Sequence, residues 1–257
     1  MVAVTLAIGW RLAIYLVAGV LAGISNGIAG GGTFITFPTL LATGIPALQA
    51  NVTSTVGVVP GSVGGVRLFR HQLRPHRALL RSLIVPCLVG TLVGCALLLL
   101  GAPTTFENVV PWLIGGATVV FALSPAITAR LVHVDQAHPA RRWTLFIGIF
   151  LIAIYGGYFG AGLGILLLAL MAVTLPLQIH ELQGLRNLLT MIINSIAAVV
   201  FVLRGHLVWG AVIMLLIGTL VGGWLGTLLI RRLSPSWVRL LVVGTGLVTT
   251  VHLALRK

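Results

Sequence analysis

Charge is what this chain has least of. Asp, Glu, Lys and Arg make up 7% of its 257 residues, and the acids are only three: Glu107, Asp135 and Glu181. Ordinary soluble domains carry about 25% charged residues, so a soluble protein of this size could not cover its surface. That excludes a cytosolic globular enzyme, a disordered chain and a nucleic-acid binder. Three acids also exclude any mechanism built on paired intramembrane carboxylates, and a carboxylate-lined cation channel. Cysteine is as scarce, with Cys87 and Cys95 in one apolar run. On a helix they lie about 12 Å apart, beyond the ~7 Å reach of a disulfide, and read as packing residues. No His, Cys and acid cluster has metal-ligand spacing, and no G-x-x-x-x-G-K-[ST] phosphate loop occurs. No cofactor is expected, and no nucleophile–base pair stands at membrane depth, which argues against an enzyme.

What fills the chain is apolar: 58% of residues are hydrophobic. Lipid is the solvent that suits such a composition. The 16 basic residues, giving a formal net charge of +13, lie between long apolar runs. There they act as topology signals and contacts to anionic lipid rather than as a nucleic-acid surface. The first run carries only Arg11 and leads into a Gly-rich segment without a small-residue cleavage site, which reads as a retained helix.

A spanning helix needs about 20 mostly apolar residues. Eight segments satisfy this: 4–25, 51–70, 79–101, 108–129, 143–165, 184–203, 207–230 and 236–255. The expectation is an all-α polytopic membrane protein. The first and fifth segments run past a Gly-rich break into a second short apolar stretch, a pattern for a broken or re-entrant helix. Loops around 67–81 and 130–142 are Arg-rich and expected in the cytoplasm; the loop near 101–107 has one acid and no base and should face outward. Arg231, Arg232 and Arg239 would lie on the wrong side if all eight segments were simple crossings. They return to the cytoplasm if only one broken segment is something other than a single crossing, so the orientation of the second half stays open.

The halves repeat. Gly90-Thr91-Leu92-Val93-Gly94 recurs as Gly218-Thr219-Leu220-Val221-Gly222. Gly27–Gly32 matches Gly157–Gly162, Pro46 matches Pro176, Leu68-Phe69-Arg70 resembles Val202-Leu203-Arg204, and Pro103 faces Pro235. The chain divides into a first four-helix repeat over 1–130, a basic linker over 131–142 and a second repeat over 143–257. Gly-interrupted helices in matching places are the pattern of secondary transporters with a midplane site at the repeat interface.

Polar residues collect beside the breaks. Gly30, Gly31, Gly32, Gly160 and Gly162 offer backbone at membrane depth, where broken helix is tolerated only against protein or water. Asn26 precedes the first break. Asn51, Thr53, Ser54 and Thr55 open the next helix in the first half, and Arg186 and Asn187 take that place in the second. Helix starts favour anions, hydroxyls donate hydrogen bonds, and an intramembrane Arg usually faces a cavity or partner. A guanidinium fork matches an oxyanion. Asn194 lies two turns beyond. His180 beside Glu181 is a candidate pair for proton coupling; most other histidines fall in loops.

The Gly27-Ile28-Ala29-Gly30-Gly31-Gly32-Thr33-Phe34 segment, Phe37-Pro38-Thr39-Leu40-Leu41, Gly44-Ile45-Pro46 and the Ala50-Asn51-Val52-Thr53-Ser54-Thr55 helix opening resemble the TauE/SafE family of membrane proteins. Gly160-Ala161-Gly162-Leu163-Gly164 with Arg186-Asn187 is similar to that family's second repeat. The resemblance implies a transporter of sulfite or small organosulfonates. It departs from symmetry, because Arg186 and Asn187 replace the Thr-Ser-Thr cluster. The expected function is export of a small sulfur oxyanion by alternating access across a bacterial-type inner membrane. Rival readings are an anion channel, an uptake permease and a scaffold. The expected partners are the small anion, anionic lipids and protons, with no nucleic acid; oligomeric state is not legible.

Overall fold

The computed structural model describes residues 2–28, 30–131, 140–229 and 235–255. The linker expected over 131–142 falls mostly outside them, as do Ala29, His133, Asp135, His138, Arg231 and Arg232. The described residues form α1 (Val2–Ile28), α2 (Thr33–Ala42), α3 (Ala47–Val58), α4 (Gly61–Leu68), α5 (Arg70–Leu73), a 3-10 turn (Arg74–His76), α6 (Arg77–Leu100), α7 (Pro103–Leu131), α8 (Ala140–Tyr158), α9 (Leu163–Thr174), α10 (Ile179–Arg204), α11 (Trp209–Leu229) and α12 (Pro235–Leu255). No strand occurs among them, so the protein is all-α.

Five described segments are long and apolar enough to cross a bilayer: Gly9–Gly27, His71–Leu100, Pro103–Ser124, Ile179–Arg204 and Trp209–Gly226. Two of the eight expected crossings are changed by identifiable residues. The one expected over 51–70 starts earlier and divides at Val59–Pro60 into α3 and α4. Pro60 has no N–H to give the carbonyl four residues back, so the helix kinks there. Its counterpart α10 has no proline and runs unbroken for 26 residues. The one expected over 143–165 stops at Tyr158, where Gly160 takes φ +76°.

Both Gly breaks end their helices the same way. The Gly30 amide donates to the Ser25 carbonyl at 2.9 Å and the Gly160 amide to the Tyr155 carbonyl at 3.1 Å. Immediately beyond each closure the glycine itself turns left-handed, and Gly30 has φ +79°, a conformation open to glycine at no steric cost. Past each break the chain folds back. The Tyr15 hydroxyl donates to Thr43 Oγ1 at 2.8 Å, placing the end of α2 beside the middle of α1. A Cβ on Gly148 would stand 2.6 Å from Leu170, placing α9 beside α8. At about 1.5 Å per residue, α2 and α9 span about 15–18 Å, half a bilayer. They are re-entrant half helices.

The repeated pentapeptide has a structural use. In α11, Gly218 and Gly222 press on the backbone of α1 at Leu16, Gly19 and Val20; in α6, Gly90 and Gly94 press on α8 at Phe150 and Ile154. A Cβ at Gly222 would collide with the Val20 carbonyl, and one at Gly94 with the Ile154 carbonyl. These two helix pairs are the most extensive in the molecule, and small residues are what let backbones approach so closely. Each half therefore supplies the helix that supports the other half's broken one. Exchanging α1 with α8, α2 with α9, α6 with α11 and α7 with α12 turns α1·α11 into α6·α8 and α2·α12 into α7·α9, all observed pairs.

Directions follow from the same contacts. Gly19, Gly23 and Gly27 meet Leu215, Thr219 and Gly226 in that order, so α1 and α11 are parallel. Gly57 meets Leu215 and Gly61 meets Gly223, so α3–α4 runs the same way. α11 thus ends at the end of the molecule that carries the exposed Arg67, Arg74, Arg77 and Arg81. Both broken segments fold back. Of the two returns, that of α9 alone falls between the 130–142 loop and the end of α11, and it brings α11 back to the basic end. Exposed Trp10 and Trp209 mark one end and exposed Trp143 and Trp224 lie toward the other, as interfacial aromatics do.

Gly222→Ala should cost at least about 2 kcal/mol, since backbone offers no room for overpacking. Gly116→Ala, with nothing within 4 Å of the added carbon, should leave stability unchanged or slightly raised. Thermal unfolding of the two purified variants in detergent checks the contrast.

Candidate functional site

The two breaks meet. A Cβ built on Gly30 would stand 3.5 Å from the Gly164 Cα, and one on Gly164 equally close to Gly30. The Arg186 side chain lies against this junction. Its Cζ and Nη1 are 3.8 Å from the Gly30 Cβ position, and its Cδ is 3.5 Å from that of Gly164. A Cβ at either position would lie in ordinary contact with the Arg186 side chain. Backbone, rather than side chain, is what borders the guanidinium here.

Arg186 is 4% exposed and Asn187 6%. The Arg186 Nε and Nη2 both donate to Asn187 Oδ1, at 3.2 and 2.7 Å. That leaves Nη1 without an acceptor among the described residues. With its oxygen turned to the guanidinium, Asn187 has a buried Nδ2 with no partner. Gly65 of α4 makes this orientation fit, since a Cβ there would stand 2.8 Å from Nδ2. One turn along α10 the buried Thr190 Oγ1 is also unpartnered. The cation thus lies at the break junction with Asn187 Oδ1 as its acceptor among the described residues, while Asn187 Nδ2 and Thr190 Oγ1 on the same helix are buried without one. No carboxylate compensates Arg186 there: Glu181 is engaged elsewhere, Glu107 is exposed at the start of α7, and Asp135 lies outside the described residues.

The other expected residues have local partners. Asn26 Oδ1 accepts the Gly32 amide at 2.8 Å, bridging the first break. Gly31 packs on Phe121, and Gly162, at φ +72°, faces Phe34. Asn51 Nδ2 donates to the Tyr158 carbonyl at 2.9 Å, at the end of α8. Thr53 Oγ1 accepts the Val208 amide at 3.2 Å, just before α11. Ser54 Oγ lies 2.5 Å from Thr36 Oγ1, and the Thr55 hydroxyl donates to the Asn51 carbonyl. The structure therefore brings Gly30, Arg186 and Asn187 together, while the Thr53, Ser54 and Thr55 hydroxyls hold α3 to α11, to α2 and to itself.

Glu181 does not pair with His180, which is exposed. Its Oε1 lies 2.9 Å from Nε2 of His76, on the turn before α6, and its Oε2 accepts the Gln178 amide at 2.9 Å. It thereby caps α10 and ties it to the Arg-rich connector. The start of α10 is closed by its own side chain, and the cation sits two turns further in.

Gly65, Gly164 and His76 go beyond the site residues expected from sequence. Gly61-x-x-x-Gly65 is a small-residue spacing that marks a close approach. Nothing in the sequence joins His76 to Glu181 across 105 positions. Among the described residues no group of three His, Cys, Asp or Glu could hold a metal ion.

The family model described as "Sulfite exporter TauE/SafE" matches residues 15–253. A "Probable membrane transporter protein" of Haemophilus influenzae is 24% identical over 201 residues, 77% of this chain and 76% of the relative. A "Probable membrane transporter protein ORF9" of Sinorhizobium sp is 30% identical over 156 residues, 60% of this chain and 58% of the relative. No solved structure matches the chain.

Removing Glu181 should destabilise more than removing its partner. His76→Ala loses one partly exposed ion pair, about 0.5 kcal/mol, whereas Glu181→Ala also uncaps α10, about 1 kcal/mol more. Denaturation of both single variants and the double variant checks the difference, and the double should cost no more than Glu181→Ala alone.

Proposed function

The chain belongs to the TauE/SafE family of membrane transporters, and from that premise we propose that it exports a small sulfur oxyanion, sulfite or a C2/C3 organosulfonate, across a bacterial inner membrane by alternating access. The observation that carries this reading is the buried Arg186, held by a neutral carboxamide at the junction of two Gly breaks. A carboxylate in the place of Asn187 would cancel the charge. Asn187 orients the guanidinium fork without doing so, and the charge is left for a ligand. Arg186 Nη1, Asn187 Nδ2 and the Thr190 hydroxyl are all donors, and the oxygens of a sulfite or sulfonate only need donors.

The opposite senses of α3–α4 and α10 support an inverted repeat. Gly65 of α4 meets Asn187 near the start of α10, while Asn51 near the start of α3 and Asn194 further along α10 both border the Tyr158–Gly160 break. Two inverted units rocking about a site at their junction is a known route to alternating access. The His76–Glu181 pair sits at the basic, cytoplasmic end, between the connector and the helix that carries Arg186, where closure on that side would act. An inside-negative potential drives an anion outward by about 2.3 kcal/mol per charge per 100 mV, so export needs no ATP.

Radiolabelled sulfite flux in proteoliposomes tests the reading. Wild-type flux should saturate and be competed by organosulfonates. Arg186→Gln should lower it about 10- to 100-fold, the scale of a lost buried charge-assisted contact. Asn187→Asp should also abolish flux, by neutralising the site while keeping its shape. Unchanged flux in a folded Arg186→Gln variant would remove the assignment.

A further inference from the structure

The two breaks differ in polarity. Beside the first, Arg186 and the unpartnered Asn187 Nδ2 can only donate. Beside the second, Asn51 presents an oxygen. A backbone carbonyl can only accept, so the atom of Asn51 facing the Tyr158 carbonyl at 2.9 Å is its amide nitrogen. That fixes the carboxamide and leaves Oδ1 as an acceptor. Asn51 is completely buried, and its Oδ1 has no hydrogen-bond partner. Asn194 of α10 borders the same break: its Oδ1 is 3.9 Å from the Cβ position of Gly160. It is 7% exposed. An acceptor buried alone costs about 1–3 kcal/mol, and an anion there would raise the cost rather than relieve it.

We propose that the Tyr158–Gly160 break binds a monovalent alkali cation through neutral oxygens, with Asn51 Oδ1 and Asn194 Oδ1 as its side-chain ligands. The break is the C-terminal end of α8, where outward-pointing carbonyls carry negative partial charge and favour cations. Hard oxygen ligands suit an alkali ion. A divalent ion is disfavoured, because no carboxylate among the described residues stands at this break to balance it. Arg186 and Asn194 lie on one helix, eight residues or about 12 Å apart, so cation and anion would bias the same element. The cation site stands on its own geometry; its coupling to export rests on the anion reading above.

The test uses the purified full-length protein without substrate. Its thermal midpoint is compared in sodium, potassium and choline chloride at equal ionic strength. Sodium or potassium at tenfold its dissociation constant should raise the midpoint by about 3–5 °C over choline. The shift should disappear in Asn194→Ala, which keeps the Asn51–Tyr158 bond, and persist in Arg186→Gln. Equal midpoints in all three salts, or a full shift retained in Asn194→Ala, would overturn the cation site. The wild-type comparison decides even if Asn194→Ala fails to fold. Sulfite flux that fails to depend on Arg186, with the alkali shift intact, would remove the anion reading and leave the cation site.

Discussion

A guanidinium at lipid depth has few ways to be stable. It does not shed its proton, and isolation of a charge in the interior costs several kcal/mol. Arg186 meets this constraint with Asn187, a dipole, rather than with a carboxylate. The arrangement depends on backbone coming very near the guanidinium, and backbone comes near only where Cβ atoms are missing. Gly30, Gly65 and Gly164 are the positions that make room for Arg186 and Asn187. The charge left over is what an anion would find.

The rest of the fold holds that junction in place. α1 and α8 each stop at a left-handed glycine, and helix ends at membrane depth need their backbone groups satisfied. Asn26 serves the amide of Gly32, Asn51 serves the Tyr158 carbonyl, and the Tyr155 hydroxyl serves the Ala161 carbonyl at 2.5 Å. The Gly-Thr-Leu-Val-Gly copies clamp each broken helix from the opposite half.

Much of this was legible in the chain. Scarcity of charge pointed to lipid, the Gly clusters to breaks, and the repeated pentapeptide to two related halves. Arg186 stood out because an arginine inside an apolar run has to be accounted for. Other features depend on contacts that a linear reading cannot supply. Pro60 sat inside an apolar run that satisfied the length rule for one crossing. Thr53, Ser54 and Thr55 read as ligand donors because hydroxyls are ambiguous between binding and helix–helix bonding; their partners Val208 and Thr36 lie on other segments. The His180–Glu181 proximity was an accident of sequence adjacency: on a helix neighbouring side chains diverge, and Glu181 turns to His76. The polarity of Asn51 follows only from knowing which atom faces it.

The most direct measurement is an experimental structure of the protein in lipid with sulfite present. The account predicts density for the anion at the Gly30–Gly164 junction, within hydrogen-bond distance of Arg186 Nη1 and Asn187 Nδ2. Arg186 paired with a carboxylate, or the anion bound away from the junction, would contradict it.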